Sequence, residues 1–386
     1  MSENGTKNIC QRIGIDKIQF YGFGVEREGG IDFIRLMGHE CVSIEEAGAG
    51  IACVRYLPNS NRGIAKITIK DNQVFSDLLI GCSRDSRSRP HEYIYLTITV
   101  DNARGDNLES MSYTEYSFYL ENVINYTADT YGIYLHTDSL KVRYMEINTN
   151  ILLSNKFSEY NRAFRLLMSF PNKRFGKLST YDSVSKNKKN TTLAGESFKR
   201  GNKSIELILY DKSTQMEERG KKAGEPEQPQ YLRIEYRLLN SKKIEAELGS
   251  SDWKNLNDDI IADWFANKFK QQILDKYAEW EEERQKSLLK LISKCRKKAP
   301  KTWHHLLMQE IRNLSEMNGV SYILDIEQVH EAIRHIPNSS KYCSRSINAV
   351  NKIDIDRDIY RNNDMGKIQE IINGINLAHK LSQTHT

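Results

Sequence analysis

Residues 231–239 read YLRIEYRLL, and their alternation sets the fold class. Leu232, Ile234, Tyr236 and Leu238 take one parity, and Arg233, Glu235 and Arg237 the other. Successive side chains on a strand point to opposite faces, so this stretch is a strand with one apolar and one charged face. A carboxylate between two guanidiniums on a sheet face admits two readings. It is an ion-pair ladder, or a metal ligand beside phosphate-binding cations.

Two earlier stretches share the pattern. In residues 204–212, SIELILYDK, the side chains of Glu206, Ile208 and Tyr210 fall on one face and those of Leu207 and Leu209 on the other, with Asp211 and Lys212 closing the strand. In residues 140–153, LKVRYMEINTNILL, Met145, Ile147 and Ile151 oppose Tyr144, Glu146, Asn148 and Asn150. That second set puts oxygen atoms in a row, which suits a hard divalent ion such as Mg²⁺ or Mn²⁺. If the three strands are neighbours, Glu146, Glu235 and Tyr210 meet on one face while the apolar face packs on helices. The sequence leaves that adjacency open. Each residue also has a plain reading: a solvated glutamate, a packing tyrosine, a surface ion pair.

Before these strands, IDKIQFYGFG, IACVRYL, GIAKITIK and YIYLTITV are short runs rich in Ile, Val, Tyr and Thr, the composition of strands. SYTEYSFYLENVINYTADTYGI reads as a helix opened by Ser112, and NKFSEYNRAFRLLMSF as one that stops at Pro171. The mixture predicts an α+β domain, a largely antiparallel sheet with helices on one face, over residues 1–250. From Trp253 onward Ile261, Trp264, Phe265, Phe269, Ile273, Tyr277 and Trp280 recur at helical spacing, so residues 251–386 are expected to form a mainly helical domain. Within it, TWHHLLMQEIRNLSEMNGVSYILDIEQVHEAIRHI reads as helix, turn at Asn318-Gly319, helix. That is ordinary helical packing or a helix-turn-helix for duplex DNA.

The composition excludes several classes. The first residues, MSENGTKNICQRIGIDK, have no apolar core of a secretion signal, and no apolar run is long enough to span a bilayer, so the expectation is a cytoplasmic protein without membrane contact. Six cysteines without a C-x-x-C pair read as free thiols and argue against structural zinc. A net charge of +5 is compatible with nucleic acid, and what matters is where the charge sits. Residues 182–203 concentrate it, with Lys199, Arg200 and Lys203 just before the Tyr210 strand. This stretch is a solvated loop or a phosphate-following one.

The order E-I-N, basic Gly-containing stretch, L-Y-D-K-S-T-Q, L-R-I-E-Y-R-L resembles the catalytic region of rolling-circle replication initiators, both plasmid initiators of the pT181 type and gene II proteins of filamentous phages. The likeness runs from about Val142 to Leu248. It implies a degenerate form of the nickase fold whose better-known members present two histidines to the metal. This chain lacks that pair, since His304 and His305 are adjacent in a helix-like stretch. It also implies Tyr210 as nucleophile, Lys212 as a phosphate contact, and Glu146, Glu235 and, more weakly, Asn148 as ligands of Mg²⁺ or Mn²⁺. Glu146 stands where the family has Asp. Lys199, Arg200, Lys203, Arg233 and Arg237 become the DNA-binding set. The implied activity is nicking one strand of double-stranded origin DNA, leaving a 5′-phosphotyrosine and a free 3′-hydroxyl. Implied partners are origin DNA, single-stranded and duplex, and a host helicase and polymerase. The oligomeric state stays open, a homodimer included. A conjugative relaxase with the same chemistry and a non-enzymatic origin-binding protein are the alternatives.

Overall fold

The computed structural model describes residues 12–26, 42–44, 52–56, 64–69, 75–83, 92–102, 108, 110–131, 133–171, 175–176, 178–181, 197–218, 230–318, 322–336, 342–353 and 363–383. Six strands come first: β1 (Gly14–Glu26), β2 (Val42–Ile44), β3 (Ala52–Tyr56), β4 (Ile64–Ile69), β5 (Phe75–Ser83) and β6 (Glu92–Asn102). Helix α1 (Tyr113–Tyr131) leads to β7 (Ile133–Leu135) and β8 (Lys141–Leu153), then α2 (Asn161–Leu167). β9 (Leu178–Tyr181), β10 (Ser197–Gly201), β11 (Ile205–Asp211), α3 (Lys212–Glu218) and β12 (Gln230–Leu238) complete the strands. Helices follow: α4 (Ser241–Leu248), α5 (Asp258–Phe269), α6 (Asp275–Lys298), α7 (Trp303–Asn318), α8 (Ile326–Arg334), α9 (Cys343–Asn351) and α10 (Asp364–Gln383).

All the strands belong to one sheet, in the order β2-β3-β4-β5-β6-β1-β8-β12-β11-β10-β9 with β7 paired to β1, and every pairing is antiparallel. The chain is thus α+β, as the alternation predicts. Among the described residues no helix is long and apolar enough to cross a membrane.

The apolar face of the central strands forms the core of the first unit. Met145, Ile147, Leu207, Leu209, Leu232, Ile234, Tyr236 and Leu238 are all buried. Against them lie Ile244 and Leu248 of α4 and Phe265 of α5, whose ring meets Tyr236 edge-on at 5.5 Å. Asn240 caps α4 by accepting from the Lys243 amide, and Gly249 ends it in the left-handed conformation. Gly374 of α10 also closes on this face, where a Cβ would come within 2.6 Å of Ile151.

The chain divides at different points from the expected residue 250. The first unit takes residues 1–153, 173–268 and 374–386, the second residues 154–172 and 269–373. The reason is the α5 face: Trp264 and Phe265 are periodic, as the sequence indicates, yet they pack on Tyr236 of the sheet. A π-helical turn, Lys270–Leu274, follows directly.

The second unit has its own core, built from Leu288, Leu291, Ile292 and Cys295 of α6, Trp303, Leu307, Met308 and Ile311 of α7, Val329, Ala332 and Ile333 of α8, and Val350 of α9. Asp325 and Gln328 form a capping box at the start of α8. Both helices of the suspected helix-turn-helix lay their apolar faces into this core, which is what ordinary packing requires; Gly319 of the turn lies outside the described residues. His304 stacks on Trp303 with centroids 3.8 Å apart, a structural place, and His305 is exposed.

Candidate active site

β12 lies between β8 and β11, so the adjacency left open by the sequence is met. Residues directly opposite across a pair of strands project to the same face. The register makes three rows: Glu146–Arg237–Glu206, Asn148–Glu235–Ile208 and Asn150–Arg233–Tyr210. Alternation within each strand then gathers Glu146, Glu235, Arg233, Arg237 and Tyr210 on one face, opposite the helix-covered one.

Asp16 of β1 joins them. Gly14 pairs with Asn148 and Ile15 with Ile147, but Glu146 pairs with Lys17, so Asp16 is the extra residue of a bulge. One oxygen of each of Asp16, Glu146 and Glu235 lies within 4.8 Å of the others. Asp16 is absent from the sequence reading. Its signal is the broken alternation of β1, where buried Ile13 and Ile15 are followed by Ile18 and Phe20.

The cluster is a dense ion-pair network. Arg237 Nε lies 2.6 Å from Glu235 Oε1 and 3.4 Å from Glu146 Oε1. Arg233 is wholly buried, with Nη1 3.0 Å from Asp16 Oδ2 and Nε donating to Asn150 Oδ1 at 2.8 Å. Its guanidinium also hydrogen-bonds Tyr210. The Tyr210 hydroxyl donates to Glu235 Oε2 at 3.4 Å, and the Tyr144 hydroxyl donates to Glu146 Oε1. Three carboxylates face two guanidiniums, so full ionisation leaves one negative charge in excess. A proton or a cation relieves it. Burial, and then the neighbouring Glu235 charge, push the Glu146 carboxyl up to about 8, with Arg237 opposing. Burial also raises the Tyr210 phenol well above its usual range; Arg233 works against this, while Glu235, Asp16 and Glu146 add to it.

The donor set fits a hard divalent ion. It is all carboxylate oxygen, and Asp16 Oδ1 is buried without a hydrogen-bond partner among the described atoms. Asn148 fits less well, because its Oδ1 accepts from Ser110 Oγ at 2.5 Å. Gly14 makes room for that contact, since a Cβ there would lie 2.7 Å from the Met111 carbonyl and from Ser110 Cβ. The Leu108 carbonyl likewise takes up the Asn150 amide at 2.5 Å.

The basic residues of the sequence reading do not form one surface. Lys199 is ion-paired to Glu206 at 2.7 Å. Arg200 donates to the Gly176 carbonyl at 3.0 Å, from the opposite face of the sheet. Lys203 is exposed in the turn between β10 and β11. Arg233 and Arg237 turn inward to the carboxylates, because a strand residue opposite a glutamate or tyrosine must share its face. Lys212 is buried at the start of α3, where Nζ donates to Gln215 Oε1 at 2.9 Å. The D-K-S-T sequence is locally a helix start, with Asp211 accepting from the Thr214 amide at 3.1 Å and from its hydroxyl at 2.7 Å. Lys186, Lys188 and Lys189 of the basic loop lie outside the described residues.

Compared with known proteins, the chain matches no protein-family model and no curated relative.

Proposed function

We propose that this chain is a replication initiator that nicks one strand of double-stranded origin DNA with Tyr210 as nucleophile, for rolling-circle replication. The observation carrying the reading is the shared sheet face on which Tyr210, Arg233 and the Asp16–Glu146–Glu235 carboxylates contact one another. A tyrosine with a guanidinium and a carboxylate on its hydroxyl, beside an oxygen-only ion site, is equipped for phosphoryl transfer.

The chemistry balances as a transesterification. The Tyr210 oxygen forms a bond to the scissile phosphorus, the bond from phosphorus to the 3′-oxygen breaks, and that oxygen takes up a proton to become a 3′-hydroxyl. The phosphodiester energy is kept in the 5′-phosphotyrosine. The phenol is protonated at neutral pH, and its proton leaves along the hydrogen bond to Glu235. Arg233, touching the same oxygen, offsets the developing phenolate charge. Asp16, Glu146 and Glu235 would hold Mg²⁺ or Mn²⁺, which would supply Lewis-acid polarisation of a scissile phosphate. Tyr210 is buried, so a DNA strand reaches it only if its surroundings rearrange.

That burial also favours a second reading, a DNA-binding protein that does not cut and whose ion-pair network is purely structural. Supercoiled origin DNA incubated with the protein and Mg²⁺ or Mn²⁺ separates the two. Open circles carrying protein on the 5′ end, absent with Tyr210→Phe, support the nickase. Nicking that Tyr210→Phe leaves intact overturns it, and binding without nicking selects the second reading. A conjugative relaxase shares every step, and differs in its partners.

A further inference from the structure

The solvent face of α6 changes sign along its length. Leu288, Leu291, Ile292 and Cys295 are buried. The opposite face carries exposed Glu279, Glu282 and Glu283, and then exposed Lys290, Lys294 and Lys297, at spacings of three, four and seven residues that keep them on one side. Exposed Arg296, Lys298 and Lys301 crowd the same end. In the acidic half two of the three glutamates have partners: Lys276 pairs with Glu279 at 2.7 Å and Lys286 with Glu282 at 2.5 Å. Among the described residues none of the six cations from Lys290 to Lys301 has a carboxylate within 4 Å.

A helix C-terminus carries roughly half a negative charge, which one or two cations offset. Six repel one another, and intramolecular demand does not explain them. A polyanion does. Lys290, Lys294 and Lys297 form a straight row of about 10 Å on a rigid helix. Arg296 and Lys297 also stand at the rim of a recess of about 690 Å³ lined by Ser293, Trp303 and His335. Single-strand sites combine cations with exposed aromatic platforms for the bases. This row has none, and Trp303 is buried. A rigid, dense line of phosphates is the complementary partner, and the duplex presents one charge per about 1.7 Å.

We infer that the basic C-terminal half of α6 docks the sugar-phosphate backbone of duplex DNA, with the acidic half of the same face fixing which end of the helix approaches it. The inference rests on the reading of the chain as a DNA-acting protein, but not on the Tyr210 chemistry.

The test is fluorescence anisotropy of the full-length protein with a labelled random-sequence duplex over a range of salt concentrations. The variant is Lys290→Glu/Lys294→Glu/Lys297→Glu, with the corresponding Gln triple as a milder companion. Each phosphate no longer neutralised by a lysine lowers the slope of log affinity against log salt by about 0.9, so the Glu triple should lower it by about 2.7 and weaken binding at least about tenfold. All three residues are exposed, so melting by circular dichroism should be unchanged. An unchanged slope and affinity overturn the inference. So does displacement of the labelled duplex by a single strand or by polyaspartate that is equal to or better than displacement by unlabelled duplex. Tyr210→Phe should bind the duplex with the parent slope. If it does, and still nicks, the nickase reading falls while the docking surface stands; if it stops nicking but the Glu triple binds normally, the reverse holds.

Discussion

Tyr210 of β11 stands directly opposite Arg233 of β12, and the buried guanidinium bonds the phenol while its other edges bond Asp16 and Asn150. The hydroxyl of this tyrosine is therefore part of a polar network and not merely a rim on an apolar ring.

Tyr210→Phe separates chemistry from stability. It removes a long hydrogen bond to Glu235 and the contact with Arg233, at a cost of about 1 kcal/mol. Urea unfolding should show that small decrease, while a denaturing gel of protein with nicked oligonucleotide should lack the covalent adduct altogether.

Arg237→Met should be far more damaging. It leaves Glu235, almost wholly buried, and Glu146 without their shared cation. Removing one partner of a buried pair costs about 3 kcal/mol or more, whereas replacing both partners with apolar residues costs much less. Arg237→Met/Glu235→Leu should accordingly recover part of that stability in the same unfolding experiment. A double variant less stable than the single one would count against a coupled network.

Glu146 gives the network a pH signature. Its carboxyl is raised from the ordinary 4.5 to about 8 in the folded protein. The stability it contributes is fully present below the unfolded value and is lost as pH rises through about 8. Glu146→Gln should flatten the fall in melting temperature between pH 5 and pH 8, taken as a rough window. In the parent protein, Mn²⁺ should raise the melting temperature more at pH 8.5 than at pH 6, both approximate settings, since metal and proton compete for the carboxylate. A Mn²⁺ effect that is equal at both, or unchanged in Glu146→Gln, would exclude Glu146 as a ligand.

Glu247 of α4 runs the other way. Burial pushes its carboxyl up, but hydrogen bonds from Lys243, Lys268 and Trp264 outweigh burial and hold it at about 2. Its contribution is present above the unfolded value near 4.5 and is lost as pH falls toward 2. Glu247→Gln should destabilise the protein at neutral pH by about 1.5–3 kcal/mol, and by little at low pH. Parallel stability curves for the two proteins across that range would refute the assignment.

Much of this was legible in YLRIEYRLL and its two companion strands, because strict alternation assigns every side chain a face before the partners are known. The strands themselves, their antiparallel pairing and the helical second half follow from the same periodicity. What alternation does not encode is which strands are neighbours and what happens at an irregularity. Asp16 escaped for the second reason: it is itself the inserted residue, without a register partner on β8, and only the spacing of Ile15 and Ile18 hints at it. Arg233 and Arg237 escaped for another. A sequence shows that a residue is cationic, but whether it meets solvent or a carboxylate depends on residues far along the chain, Glu146 in the case of Arg237. Periodicity identifies a helix without saying on what its apolar face rests, and Phe265 of α5 rests on the sheet.

The register of β8, β12 and β11 has one more consequence. A slip of one residue along β12 would carry Arg233, Glu235 and Arg237 to the helix-covered face, into contact with Ile244 and Phe265, and would turn Tyr236 toward Asp16 and Glu146. Burying three charges among apolar side chains is costly, so a one-residue slip is rejected by the same groups that make up the candidate centre. The charged cluster thus guards its own scaffold against a one-residue slip, whatever reaction it goes on to serve.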